Sequence, residues 1–480
     1  MNKKIIYLLS LIMALSLVFA SCKKNGSGDI SGPGPGDNGF DNSPTTDTGL
    51  ADSEEWLNQN SDQPIKNDEI PNFQTTGGVA YFRNPIVVVM GAEKNHVAVF
   101  AEKRYVSSGS ANDIGVDGST ATDIVCIISK DSGKTWGLPQ IVGRSQQAQP
   151  GGSDAVASPV VFKVADAKVI VVASAGAGLS RTSQAYNDRN PQSKLMYAVG
   201  TYDESTGFTW SSGWQDMTTA AEEAVKTVTA KDNTYKQFGI HSAKGVVVNS
   251  GGTQNLYLAV TVANQGSSSA IKEVMGNVIM KGTYSGSGNT VDWSTVNNTA
   301  VVFSEKNGTY SSHKASRVIA ATGDTDIEYL TVGSPGYGNN QIGYGKAGSD
   351  PKDNGIFGSE GSPSYLKIEK WYGQNGYDPT QYSAQNPNKS QRLYAHVKSL
   401  NSTITMYALS GDTGFTSTGN TYTVKAYPTD TTTLAKSSSM DVLGDGTIIM
   451  AAEQGGSERQ YKVVFKRFTQ KFLATQLGIN

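Results

Sequence analysis

The sequence predicts an all-β chain, folded either as a propeller or as a large sandwich. Three observations point there. Short runs such as "KVIVVASA", "NLYLAVTVA", "EYLTVGS", "STITMYALS", "GTIIMAAE" and "YKVVFKRF" are β-branched or alternating, with Gly, Asn, Asp and Ser between them. Helical periodicity is confined to "DMTTAAEEAVKTV" (216–228), read as an insertion between strands. A turn motif, "SKDSGKTW" (Ser129 to Trp136), recurs in weaker form at 202–210, 284–293 and 410–415.

At the start of the chain, "MNKK" and "IIYLLSLIMALSLVFA" make a basic head and a short apolar core, the pattern of a secretory leader over residues 1–21. The leader ends in "FASC", which resembles the lipobox of bacterial lipoproteins. That resemblance implies a lipid on Cys22 and a cell-surface lipoprotein of the outer membrane or periplasm; an ordinary secretory signal is the alternative. Residues 22–70, which after Cys22 run "KKNGSGDISGPGPGDNG", are too rich in Gly, Pro, Ser and Asp to build a core and read as a tether. The propeller or sandwich is left with 71–472, in which no second linker of that composition occurs.

The whole chain carries a formal charge of −2, and removing the leader takes two lysines away. No basic tract remains, so a nucleic-acid partner is not expected. Of the two cysteines, Cys126 lies in "DIVCIIS" and reads as buried core; with Cys22 lipidated, no disulfide is available. The four histidines form no metal-ligand spacing and no Gly-rich phosphate loop occurs, so neither metal nor cofactor is expected.

The Ser129–Trp136 motif has the form S-x-D-x-G-x-T-W and resembles the Asp box of sialidase-type propellers. In such a turn Asp131 holds backbone amides, Gly133 takes a positive φ and Trp136 packs into its own blade. The echoes keep Gly207, Thr209 and Trp210; Ser410, Asp412 and Gly414, with Phe415 in the tryptophan's place; and Trp293. The resemblance implies a six-bladed β-propeller whose blades carry insertions.

"YFRNPIVVV" (81–89) opens a buried-looking strand with an arginine, and desolvating an unpaired guanidinium is costly. "FRNP" resembles the F-R-I-P motif of the sialidase family, with Asn84 in place of isoleucine. "VAVFAEKRY" (97–105) is similar to the family's strand that ends in a further arginine, here Arg104. The loop "VSSGSANDIGVDG" follows, where the family presents its acid/base aspartate; Asp113 matches best and Asp117 second. Sialic acid bears a carboxylate on its anomeric carbon, which a planar guanidinium grips bidentately, and the family uses three arginines for it. The other use for Arg83 is a salt bridge to a buried acid, and for Arg104 a charge capping a strand.

Further along, "NNTAVVFSEKNGTYSSHKASR" (297–317) resembles the stretch that carries the family's glutamate and second clamp arginine, which would be Arg317. Asn298 or Lys314 stands in the glutamate's place, with Glu305 the nearest carboxylate. "NPNKSQRLY" (386–394) resembles the stretch that carries the third arginine, giving Arg392; a solvated loop charge is the other reading. "AKSSSMDVLGDGTIIMAAE" (435–453) preserves Asp445, Gly446 and Glu453 of the last blade, but the tyrosine slot falls on Lys436 or Ser437. Tyr394 and Tyr427 are the neighbouring tyrosines.

The resemblance implies an exo-α-sialidase acting with retention on terminal sialic acid of host glycoproteins or glycolipids. Family members use a tyrosine nucleophile, because a carboxylate would be repelled by the substrate's own, and an aspartate that protonates the leaving oxygen. The alternative is a propeller that binds sialoglycans without cleaving them.

Overall fold

The computed structural model describes residues 65–480 except 70–79, 106–120, 145–154, 177, 180–191, 211, 229–236, 266–271, 304, 307–308, 311–313, 333–340, 358–360, 379–380, 382–383, 398–402, 425–435 and 455–461. Among the described residues six sheets of four to six strands, antiparallel but for one parallel pairing in the second, follow one another along the chain and form a six-bladed β-propeller; a two-stranded pair, Glu305–Lys306 with Thr309–Tyr310, stands apart from them. Each blade starts at the channel and works outward. The innermost strands are Ala80–Met90, Val156–Ala165, a broken strand through Gln237–Gly239 and Val246–Ser250, Lys314–Gly323, Ser364–Ile368 and Ser438–Val442, for blades one to six.

The run "PIVVVM" is apolar without alternation because blade one is covered on both faces. Val87 and Val89 pack toward Ile449, Val463 and Phe465 of blade six, while Ile86, Val88 and Met90 pack toward Val161, Val169 and Val171 of blade two. All are buried, at about 1.5–3 kcal/mol for each large aliphatic side chain. Cys126 sits in the second cluster, fully buried, and burial pushes its thiol far above the ordinary value.

Blade six is closed by a strand from the other end of the chain. Ile65–Glu69 pairs antiparallel with Lys462–Phe468, Ile65 opposite Arg467 and Glu69 opposite Val464. These residues lie inside the stretch expected to be tether; the sequence "IKNDE" is polar enough for one, yet an outer-edge strand needs only its backbone hydrogen bonds. The C-terminal helix α2 (Gln470–Leu477) then buries Phe472, Leu473 and Leu477 against blades five and six, so the globular part runs past 472. The expected insertion helix is α1, Thr218–Val225.

The Ser129–Trp136 turn has the expected hydrogen bonds. Asp131 Oδ1 accepts from the amides of Lys134 (3.1 Å) and Thr135 (2.8 Å), and Gly133 has φ of 87°. Trp136 does more than fill its own blade: its ring meets Phe465 of blade six edge-on, with centroids 5.1 Å apart.

One contact recurs around the channel. A polar side chain on the second strand of a blade accepts the N–H of a residue near the start of the next blade's inner strand. Glu102 takes Ser158 (2.7 Å), Ser174 takes Ile240 (2.9 Å), Thr261 takes Ser316 (3.2 Å) and Glu453 takes Asn84 (2.5 Å). Serine or threonine serves at two of these junctions. The two on either side of blade one use glutamate.

Candidate anion-binding site

Both glutamates of that belt hold arginines. Arg83 pairs across the sheet with Glu102, and Tyr81 with Arg104. Glu102 and Arg104 are two apart on one strand and therefore share a face; Arg104 Nε and Nη2 donate to Glu102 Oε2 at 2.7 and 2.5 Å. Arg83 Nε donates to Glu453 Oε1 at 2.8 Å. The glutamates are wholly buried, while the arginine side chains keep 13 and 18% exposure. Burial alone would raise the Glu102 carboxyl, but the Arg104 charge and hydrogen bonds from Asn84 and Ser158 outweigh it and hold it below the usual carboxylate range.

Arg317 lies at the same end of the channel and is treated differently. Its Nε donates to the Ser242 carbonyl (2.8 Å), Nη1 to the Ala315 carbonyl (2.8 Å) and Nη2 to Ser362 Oγ (3.1 Å). Among the described residues no carboxylate pairs with it, although it is buried. Desolvation lowers its pKa to about 10, which leaves it charged at neutral pH. Behind it His396 is buried and neutral, pulled down to about 3 by burial first and then by the Arg317 charge.

Asn84 stands between these groups, in a left-handed conformation with φ of 53°. Its Nδ2 donates to Glu102 Oε1 (2.8 Å) and its Oδ1 accepts from Ser437 Oγ (2.8 Å). Ser362 Oγ, the partner of Arg317, is 3.5 Å from the same Oδ1. Arg317 is thus two contacts from Asn84, through blade five.

Further down the channel, Ala243–Lys244 leaves the break in blade three's inner strand and pairs in parallel with Val160 and Val161 of blade two. This sends Lys244 across the channel to Asp441 of blade six (2.5 Å), whose other oxygen accepts the Val89 amide (2.8 Å). A cavity of about 170 Å³ is lined by Lys244, Arg317, Tyr365, Ser438 and Met440.

Arg392 does not join the group. It begins the second strand of blade five, Gln391–Val397, at the end where the Asp131 turn lies. There Nε donates to the Gly411 carbonyl (2.8 Å), Nη1 to Gly414 (2.5 Å) and Nη2 to Ser410 (2.5 Å) and Thr413 (2.9 Å). Its guanidinium clasps the blade-five turn, and this corrects the expectation that it grips a ligand beside Arg83.

Asp113, Asp117 and Tyr427 lie outside the described residues, as do the side chains of Glu305 and Lys314. Asn298 is exposed near the outer edge of blade three, far from a glutamate's role at the channel. Tyr394 is wholly buried between Tyr407 and Phe415. The sequence reading passed over Tyr105, whose hydroxyl donates to Asp123 Oδ2 (2.9 Å) beside Arg144. It follows Arg104 directly and projects to the opposite face of the strand.

No family model matches this sequence, and no curated protein matches it. The fold is similar to that of the intramolecular trans-sialidase from Ruminococcus gnavus, with a TM-score of 0.52 and 14% identity over 84% of this chain and 98% of that one. It is likewise similar to the NanB sialidase from Streptococcus pneumoniae, with a TM-score of 0.50 and 12% identity over 88% of this chain and 73% of that one. At such identity the likeness is one of fold.

Proposed function

We propose that this chain is a propeller glycosidase of the sialidase kind, an exo-α-sialidase that takes up terminal sialic acid by its carboxylate. One observation carries the reading: at one end of the channel the charges of Arg83 and Arg104 are met by Glu453 and Glu102, whereas among the described residues no carboxylate meets that of Arg317. Among the described residues these three arginines and two glutamates leave one positive charge, which a ligand carboxylate would answer. That the Ruminococcus protein was solved with oseltamivir carboxylate supports a carboxylate ligand for this fold.

In this reading Arg83, Arg104 and Arg317 hold and orient the anionic sugar, and Asp113 protonates the leaving oxygen and then takes a proton from water. Retention further requires a nucleophile that bonds the anomeric carbon as the leaving oxygen departs and is then displaced by water, the role that the resembled family gives to a tyrosine. The leader and a lipid on Cys22 place the enzyme at the cell surface, where sialylated glycoproteins and glycolipids are its substrates.

The second reading, a sialoglycan-binding propeller without turnover, is favoured by one contact. Ser437, one of the two residues on which the tyrosine's slot falls, is hydrogen-bonded to Asn84. A fluorogenic α-sialoside separates the two when presented to the chain from residue 40 onward, beside Asp113→Ala and Arg83→Ala. An enzyme turns over and loses most of its rate in both variants. A lectin gives no product, binds immobilised sialoglycan, and loses binding only in Arg83→Ala.

A further inference from the structure

We infer that Asn84 is a positioning residue that couples the two arginine–glutamate pairs into one unit. The backbone N–H of Asn84 and Nε of Arg83 share a single oxygen, Glu453 Oε1, at 2.5 and 2.8 Å. Its side-chain amide reaches Glu102 Oε1, while Arg104 occupies Oε2 of the same carboxylate. One residue therefore touches both carboxylates, which come from strands more than 300 residues apart. Displacing either pair must move Asn84, and through it the other.

The backbone conformation belongs to this device. At φ of 53° asparagine is tolerated, whereas a β-branched residue is strained. Asn84, which stands where the pattern it resembles has isoleucine, is also bonded to Ser437, one of the two candidates for the tyrosine's slot. The amide thus faces three blades, one through Glu102, one through Ser437 and one through Ser362. Glycine at 84 keeps the left-handed turn and removes only the amide, so Asn84→Gly separates the side-chain tie from the backbone.

The test is a pair of double-mutant cycles on the full chain. Arg83→Lys and Arg104→Lys, which preserve charge, are made singly and together in the parent and in the Asn84→Gly background. Denaturant unfolding and the affinity for α-2,3-sialyllactose are read for each. Coupling through Asn84 makes the double variant differ from the product of the singles by about fivefold or more in the parent, and by no more than about twofold with Asn84→Gly. Additivity in the parent, or equal coupling in both backgrounds, overturns the inference. The affinity arm rests on the function proposed above. If the parent binds no sialyllactose, that function falls while the unfolding cycle still decides the coupling. Should Asn84→Gly not fold, Asn84→Ser serves in its place under the same criteria.

Discussion

Arg83 Nε and Glu453 Oε1 are 2.8 Å apart across 370 positions of sequence, joining the first strand of blade one to the second strand of blade six. The pair spans the same junction as Trp136 on Phe465, so it helps to close the ring as well as to aim a guanidinium. Glu453→Gln keeps an acceptor for Asn84 but removes the charge. We expect a loss of about 1.5–3 kcal/mol in chemical denaturation, the range for hydrogen bonds to charged groups. Sialoside affinity should fall with it, and unchanged affinity would show that Arg83 needs no help to hold its orientation.

Arg392→Met should separate stability from ligand binding. Four carbonyls of the 410–414 turn lose their donor, at a cost of about 2–4 kcal/mol. The site lies at the other end of the blade, so KM and kcat, or the dissociation constant, should stay within about twofold of the parent. A large loss of affinity at preserved stability would return Arg392 to the ligand.

Gly133→Ala tests the turn. A β-carbon there would lie 2.2 Å from Phe465 Cε1, on a residue with φ of 87°. Overpacking and the left-handed conformation together should cost about 2–4 kcal/mol, read as a lower unfolding midpoint. Gly414→Ala, with no atom within 4 Å of its β-carbon, should show only the conformational part, at about 1 kcal/mol.

His396 gives a pH signature. The unfolded chain protonates this histidine below its ordinary value of 6.5, whereas the folded chain resists until about pH 3. On acidification the unfolded state gains the proton first, so the contribution is complete above pH 6.5 and is lost as the pH falls toward 3. Each unit within that window is worth at most about 1.4 kcal/mol. His396→Leu should therefore lose about 1.6 kcal/mol less than the parent between pH 6.5 and 5, measured by urea unfolding. Equal slopes in parent and variant would place the acid sensitivity elsewhere.

The blades were legible because strand length, turn residues and the Ser129–Trp136 motif are local properties. Arg83 and Arg104 were legible through a collinear pattern, but their partners were not read. Glu102 had a signal, since "EKR" on a strand puts glutamate and arginine on one face. Glu453 was noticed, yet nothing in a sequence pairs it with a residue 370 positions away. Arg392 was misplaced because a motif before a strand does not say which end of the blade that strand starts from. Second strands begin at the turn end, and its position in the blade decides the matter. Asn84 looked like a lost isoleucine, and only the fold shows what its amide does.

The strand that closes blade six carries one more consequence. Ile65 lies opposite Arg467, whose Nη1 reaches the Ser132 carbonyl, so the chain enters the ring on the face of the Asp131 turn. Residue 65 therefore lies on the face turned away from Arg83, Arg104 and Arg317. A chain moored at its amino end would turn the arginine end of its channel away from the attachment, with the Asp131 turn on its underside.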